Sequence, residues 1–258
     1  MAPYIHIVLP TFIVFAFFGG SFALTFVFFR IDKYNVKFTV YLKMATVCAF
    51  SAYLGGIVLS VLTRIPQLIT NFSFSNLFLV IAQSGIVFYG GLFGVLLAVK
   101  LYTRYSHYEA SSVYRMITPA IPLFHGIGRI GCLFGGCCYG RELAVPISLF
   151  GMLHFDRVPT QVFEAVFGFL IFFVIIFIER KRNEWDSLQF YLLAYATFRF
   201  ANEFFRGDEA RGLFLGLSTS QWISVFILVY YAIKHLRNLK LNKTTSNVIN
   251  PASTSNKL

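Results

Sequence analysis

The chain has 258 residues, 57% hydrophobic and only 13% charged, with 32 Phe and a formal net charge of +11. A soluble domain carries about 25% charged residues, so this composition excludes a water-soluble enzyme, a disordered chain and an isolated nucleic-acid-binding domain. The Lys and Arg lie between long apolar runs, where they report membrane topology and contact with anionic lipid head groups rather than a nucleic-acid partner.

The start, Met1 to His6, has no Lys or Arg ahead of the first apolar run, which argues against a cleaved signal peptide, so the first span is expected to stay. A span needs about 20 mostly apolar residues in helix, where the backbone satisfies its own polar groups. Seven such runs follow: Pro10 to Phe29, Lys43 to Leu62, Asn76 to Leu101, Ile117 to Cys138, Val162 to Ile178, Ser187 to Phe205 and Gln221 to His235. The sequence therefore predicts an all-α integral membrane protein. Residues 1–239 form one seven-span domain, and residues 240–258, rich in Asn, Ser, Thr and Lys, read as a disordered cytoplasmic tail.

Fifteen Lys and Arg fall on the side that includes Arg30, Lys100, Arg115, Arg180 and Lys234, against five (Arg64, Arg141, Arg157, Arg206 and Arg211) on the other. The positive-inside rule then puts the N-terminus outside and the C-terminus in the cytoplasm. The Phe cluster from Phe12 to Phe29 reads as lipid-facing and packing side chains, Trp185 and Trp222 as an interfacial belt, and Glu179 to Arg182 as a solvated cytoplasmic turn.

Two places carry residues that hydrocarbon does not tolerate. The run His125-Gly126-Ile127-Gly128-Arg129-Ile130-Gly131-Cys132 continues to Gly140-Arg141 with six Gly after His125. That density costs helix stability and suits backbones that approach a neighbour or ligand closely. The second run, Tyr195 to Arg206, puts Arg199 and Glu203 on one helix face at i, i+4, with Tyr195 one turn back. Mutual neutralisation of Arg199 and Glu203 is the bland explanation; Arg129 tips the balance. One carboxylate does not neutralise two guanidinium groups, so an external anion is implied, and the planar fork of Arg suits phosphate. In the topology above both runs approach the outer face, which makes the anion a phospholipid head group.

Cys132, Cys137 and Cys138 lie close together, but a zinc site usually takes four ligands at other spacings, so no metal is expected. Cys48 and Cys132 read as packing residues, and Cys137 and Cys138 as a disulfide or reactive thiols near the outer surface. His125 reads as a hydrogen-bonded core residue and His107 as a solvated one.

At these residues the chain resembles the prolipoprotein diacylglyceryl transferase family, bacterial enzymes of seven spans with an outward-facing site. The family's glycine-arginine signature is similar to Gly128-Arg129-Ile130-Gly131 continuing to Gly140-Arg141. Pro159-Thr160-Gln161-Val162-Phe163-Glu164 resembles a second family stretch, Tyr195, Arg199, Glu203 and Arg206 its sixth-span pattern, and Gly90-Gly91-Leu92-Phe93-Gly94 its Gly-Gly turn. The chain departs from the family at Tyr89, where His is common, at Cys132 in place of Asn, at Cys137 in place of Glu, and at Phe12 in place of Tyr. It resembles a cysteine-bearing variant of the signature.

The resemblance implies transfer of diacylglyceryl from phosphatidylglycerol to the lipobox Cys of a preprolipoprotein, with glycerol phosphate leaving and no cofactor. It implies a multi-pass protein of the bacterial inner membrane whose site faces the outer leaflet. Arg129 and Arg199 would stabilise the departing phosphate. Glu203 would orient Arg199 or take a proton, and Tyr89 would donate a hydrogen bond, being a poor base with a reference pKa of about 10. Gly90, Gly91, Gly128, Cys132, Gly140, Tyr195, Arg206 and Gln161 are the candidate substrate contacts. Two other readings are a phospholipid or anion translocator without chemistry, which inverted repeats would favour, and a diverged paralogue with another acceptor, favoured by Tyr89 and Phe12.

Overall fold

The computed structural model describes residues 11–65, 69, 73, 87–149, 153–182, 185–207 and 213–249. Its helices are α1 (Thr11–Phe28), α2 (Phe38–Thr63), α3 (Phe88–Arg104), α4 (Ala110–Ile117), α5 (Ala120–Phe134), α6 (Thr160–Lys181), α7 (Ser187–Asn202) and α8 (Thr219–Ile249). By length and composition, α2, α6 and the pair α4–α5 (Ala110–Phe134) are able to cross a membrane. Thr118 and Pro119 mark the break within that pair, where proline denies the helix a donor.

Large apolar side chains point outward along the helices: Phe17 is 73% exposed, Phe22 60% and Phe50 66%. A water-soluble protein hides such groups, whereas lipid accepts them. The chain is a mostly helical membrane protein, as its composition predicts.

The expectation of helix alone needs correction. Two antiparallel hairpins are present, β1 (Glu142–Leu149) with β2 (Leu153–Arg157) and β3 (Leu213–Phe214) with β4 (Leu217–Ser218). The first follows the end of α5, where Gly135 and Gly136 stop the helix and Val145, Pro146 and Ile147 favour extended backbone. The fourth predicted span accordingly starts earlier, at Ala110, and its helix ends at Phe134 rather than at Cys138. The first eleven residues of the third predicted span, 76–86, lie outside the described residues, as do Leu9 and Pro10. The last helix runs on from Lys240 to Ile249, through residues whose composition reads as disordered.

Close glycine contacts set the frame. A Cβ on Gly91 would stand 3.1 Å from the Ala52 carbonyl oxygen, and one on Gly90 or Gly94 would run into the α2 backbone at Gly55 and Ser51. Between α5 and α6, a Cβ on Gly168 would lie 2.8 Å from the Pro122 carbonyl oxygen and 3.1 Å from the Gly126 Cα. Small residues let helices approach without a side chain between them, and the second contact brings α5 against the third turn of α6.

Two caps fix the remaining helices. The Asp186 side chain accepts from the Gln189 amide, 2.9 Å, at the start of α7. Ser218 and Gln221 form a reciprocal capping box at α8, with Gln221 N to Ser218 Oγ at 3.2 Å and Ser218 N to Gln221 Oε1 at 2.9 Å.

Candidate active site

Glu164, on the second turn of α6, is fully buried and gathers charge from three other segments. Its Oε1 accepts from Arg199 Nη1 at 2.8 Å, Asn202 Nδ2 at 3.0 Å and Arg206 Nη1 at 3.4 Å. Its Oε2 lies 2.7 Å from Arg129 Nε and 3.2 Å from His125 Nε2. On the far side of Arg199, Nη2 pairs with Glu203 Oε2 at 2.8 Å.

The helix period explains the convergence. His125 and Arg129 occupy one face of α5 at i, i+4, and Arg199 and Glu203 do the same across the end of α7. The Gly126–Gly168 contact presses the α5 face onto Glu164. Arg206 is placed by backbone stitching: Gly140 N donates to Val158 O (2.9 Å), Arg141 N to Phe205 O (2.9 Å) and Gly207 N to Tyr139 O (3.2 Å). A Cβ at Gly140 would meet Val158 O at 2.5 Å and Phe205 O at 2.6 Å, so only glycine fits between these strands of chain.

These charges border a cavity of about 460 Å³, within the roughly 300–1,000 Å³ usual for small-molecule pockets. Its wall includes Tyr89, Gly128, Arg129, Cys132, Tyr195, Arg199, Glu203 and Arg206, together with Arg64 from the end of α2. Arg129 and Arg199 therefore share one pocket. Among the described residues, Arg129, Arg199 and Arg206 face Glu164 and Glu203, three positive charges to two negative, and Arg64 lies on the same wall. Arg129 commits its Nε to Glu164 and to His125 Nε2 (3.0 Å), while its two terminal nitrogens make no hydrogen bond to described residues.

Tyr89 is buried against this wall, with its ring edge-on to Tyr195 at 5.2 Å between centroids. Its hydroxyl meets Ser224 Oγ at 2.7 Å. Ser224 donates its only proton to the Ser220 carbonyl at 2.9 Å, so Tyr89 is the donor in the pair and acts as a fixed wall residue. Tyr195 packs against His125, whose ring stacks on Phe88 at 4.1 Å.

Four residues singled out from the sequence stand away from the cavity wall. Gly90 and Gly91 make the α2–α3 contact, Gly140 makes the backbone stitch, and Gln161 Nε2 donates to the Cys137 carbonyl at 2.7 Å. Three residues that sequence reasoning did not assign to the site are central to it: Glu164, His125 and Asn202. The signal for Glu164 was present, since it is a lone carboxylate two residues inside the fifth apolar run. The cost argument applied to the arginines applies to it equally.

The prolipoprotein diacylglyceryl transferase family model matches residues 9–236. A phosphatidylglycerol–prolipoprotein diacylglyceryl transferase of Clostridium tetani is 32% identical over 194 residues, covering 72% of this chain and 76% of the relative. One of Clostridium perfringens is 31% identical over 207 residues, covering 74% and 77%, and one of Dehalococcoides mccartyi is 25% identical over 236 residues, covering 87% of each. With its apolar helices, its arginine-rich pocket and this match over most of its length, the chain belongs to the prolipoprotein diacylglyceryl transferase family of membrane enzymes.

Proposed function

We propose that this protein transfers the diacylglyceryl group of phosphatidylglycerol to the lipobox thiol of preprolipoproteins and releases glycerol phosphate. The observation that carries this reading is Arg129, partly buried beside Glu164 on the wall of an arginine-rich cavity, its terminal nitrogens uncommitted among the described residues. A phosphodiester is the anion that such a fork fits. Arg199, held on both sides by Glu164 and Glu203, is a preorganised donor for the charge that develops on the departing phosphate. Glu203 orients Arg199. The acceptor thiol reacts as its thiolate.

In this reading the protein spans the bacterial inner membrane seven times. Its N-terminus lies outside, its C-terminus in the cytoplasm, and its cavity towards the outer leaflet, with both substrates entering from the membrane plane. Reporter fusions after Arg182 and after Arg211 should read cytoplasmic and external, respectively. The reverse pattern would overturn the outward-facing site. Function itself is tested by complementing a bacterial strain depleted of its own transferase. Rescue should come with diacylglyceryl on the N-terminal Cys of a lipoprotein, read by peptide mass; growth without that mass would refute the reading.

Tyr89→Phe should retain partial transfer. The substitution removes one hydroxyl and leaves the ring packing on Tyr195, a loss of about 1 kcal/mol for the hydrogen bond to Ser224. A dead Tyr89→Phe enzyme with unchanged thermal stability would make the hydroxyl a participant in the chemistry.

A further inference from the structure

The Sγ atoms of Cys132, Cys137 and Cys138 all lie within 4.8 Å of one another, and all three residues line the cavity that holds Arg129. None of the three is in a disulfide. A tetrahedral zinc site with Zn–S bonds of about 2.3 Å places its sulfurs about 3.8 Å apart, so the cluster needs to tighten by only about an ångström. The sequence spacing of these cysteines disfavours only a zinc site with four protein ligands. Three thiolates and one position open to a pocket is instead the pattern of catalytic zinc, which keeps its fourth place for water or substrate.

The turn that carries the cluster is held in place. Gly136 and Cys138 have φ of 65° and 60°, in the left-handed region. For Cys138, which has a Cβ, that conformation is strained and persists only where surroundings impose it. Three hydrogen bonds do so: Thr160 Oγ1 to the Cys138 carbonyl (2.8 Å), Gln161 Nε2 to the Cys137 carbonyl (2.7 Å) and Cys137 N to the Cys132 carbonyl (3.1 Å). Such supports orient the ligands of a metal site.

We propose that Cys132, Cys137 and Cys138 bind one zinc ion whose open position takes the sulfur of the acceptor cysteine. The role of the metal, though not its binding, rests on the transferase reading. Among the described residues of the cavity wall, Tyr89 donates its proton to Ser224, His125 Nε2 accepts from Arg129 and Glu203 is paired with Arg199, so none of them is a ready base for a thiol. Coordination removes that need, because a thiol bound to zinc is deprotonated outright. The acceptor sulfur loses its proton on entering the open position. It then forms the S–C bond to the glyceryl carbon while the C–O bond to phosphate breaks, its electron pair remaining on the phosphate oxygen. Glycerol phosphate leaves, and the thiol proton ends on that phosphate or in solvent.

The test uses the full chain, purified in detergent with its thiols reduced and titrated with Co(II) as a spectroscopic substitute for zinc. One equivalent per chain should bind, with a sulfur-to-metal charge-transfer band and the intense visible bands of a tetrahedral ion. Cys137 is exposed, so Cys137→Ser should fold normally. It should weaken binding by more than the 10- to 100-fold that loss of a supporting contact costs. Cys48→Ser, in α2, should bind as the unaltered protein does. No saturable band, or a band unchanged in Cys137→Ser, would overturn the site. A lipobox peptide should alter the visible bands and its Cys→Ser counterpart should not; no change with the thiol peptide would overturn the catalytic role. Full transfer by metal-free Cys137→Ser would do the same and leave the transferase reading standing. Metal binding without any transfer by the zinc-loaded protein would instead remove that reading and keep the site.

Discussion

Glu164→Gln, behind the cavity wall, should abolish transfer and lower the melting temperature more than any single substitution in the wall itself. Glu164 is fully buried and in contact with Arg129, Arg199, Arg206, His125 and Asn202. An amide keeps one acceptor oxygen and turns the other position into a donor, which then faces Arg129 Nε or Arg199 Nη1, themselves donors. The guanidinium groups would be left with Glu203 as their sole carboxylate partner among these residues. Breaking a buried ion pair by removing one partner costs about 3–5 kcal/mol, a large share of the stability of a typical domain. Thermal unfolding in detergent and the rate of thioether formation measure the two effects. Glu164→Asp keeps the charge and should recover part of each. A Glu164→Gln protein of unaltered melting temperature would mean that the arginines are held by something else.

Arg199→Lys, which preserves charge, should still reduce the rate by about 10²–10³-fold, the usual cost of losing one preorganised donor at a developing anion. Arg199 reaches Glu164 through Nη1 at 2.8 Å, Glu203 through Nη2 at 2.8 Å and Ser220 Oγ at 3.3 Å. An ammonium on a flexible stem does not span those partners from one point. The loss should appear in kcat rather than KM, because the interaction strengthens as phosphate departs. Arg199→Ala should show no measurable turnover. Wild-type kcat in Arg199→Lys would reduce Arg199 to a structural counter-charge.

Periodicity and the expense of intramembrane charge made much of this site legible in advance. Arg129 and Arg199 stand out in apolar runs, and the i, i+4 spacing of Arg199 and Glu203 becomes a 2.8 Å ion pair. Glu164 was hidden by distance, since it is 35 residues from both Arg129 and Arg199 and no local pattern announces its partners. The meeting depends on Gly126 lying against Gly168, a contact between helices that composition does not specify. Gly90, Gly91 and Gly140 read as substrate contacts for a related reason: glycine marks close approach, and the sequence does not say whether ligand or backbone does the approaching. The hairpin Glu142–Arg157 was missed because helix was expected throughout, although Val145, Pro146 and Ile147 are poor material for one. The cysteines mark a different gap. Their sequence spacing argued against a metal, whereas the left-handed turn at Gly136 and Cys138 folds them into a cluster.

The most direct measurement is the mass of the peptide product after the purified protein has been incubated with phosphatidylglycerol and a lipobox peptide, beside Arg129→Ala. The unaltered protein should add one diacylglyceryl group through a thioether on the peptide Cys and release glycerol phosphate in equal amount, and Arg129→Ala should give neither. A peptide of unchanged mass, under conditions where the Clostridium tetani relative yields the thioether, would contradict the account.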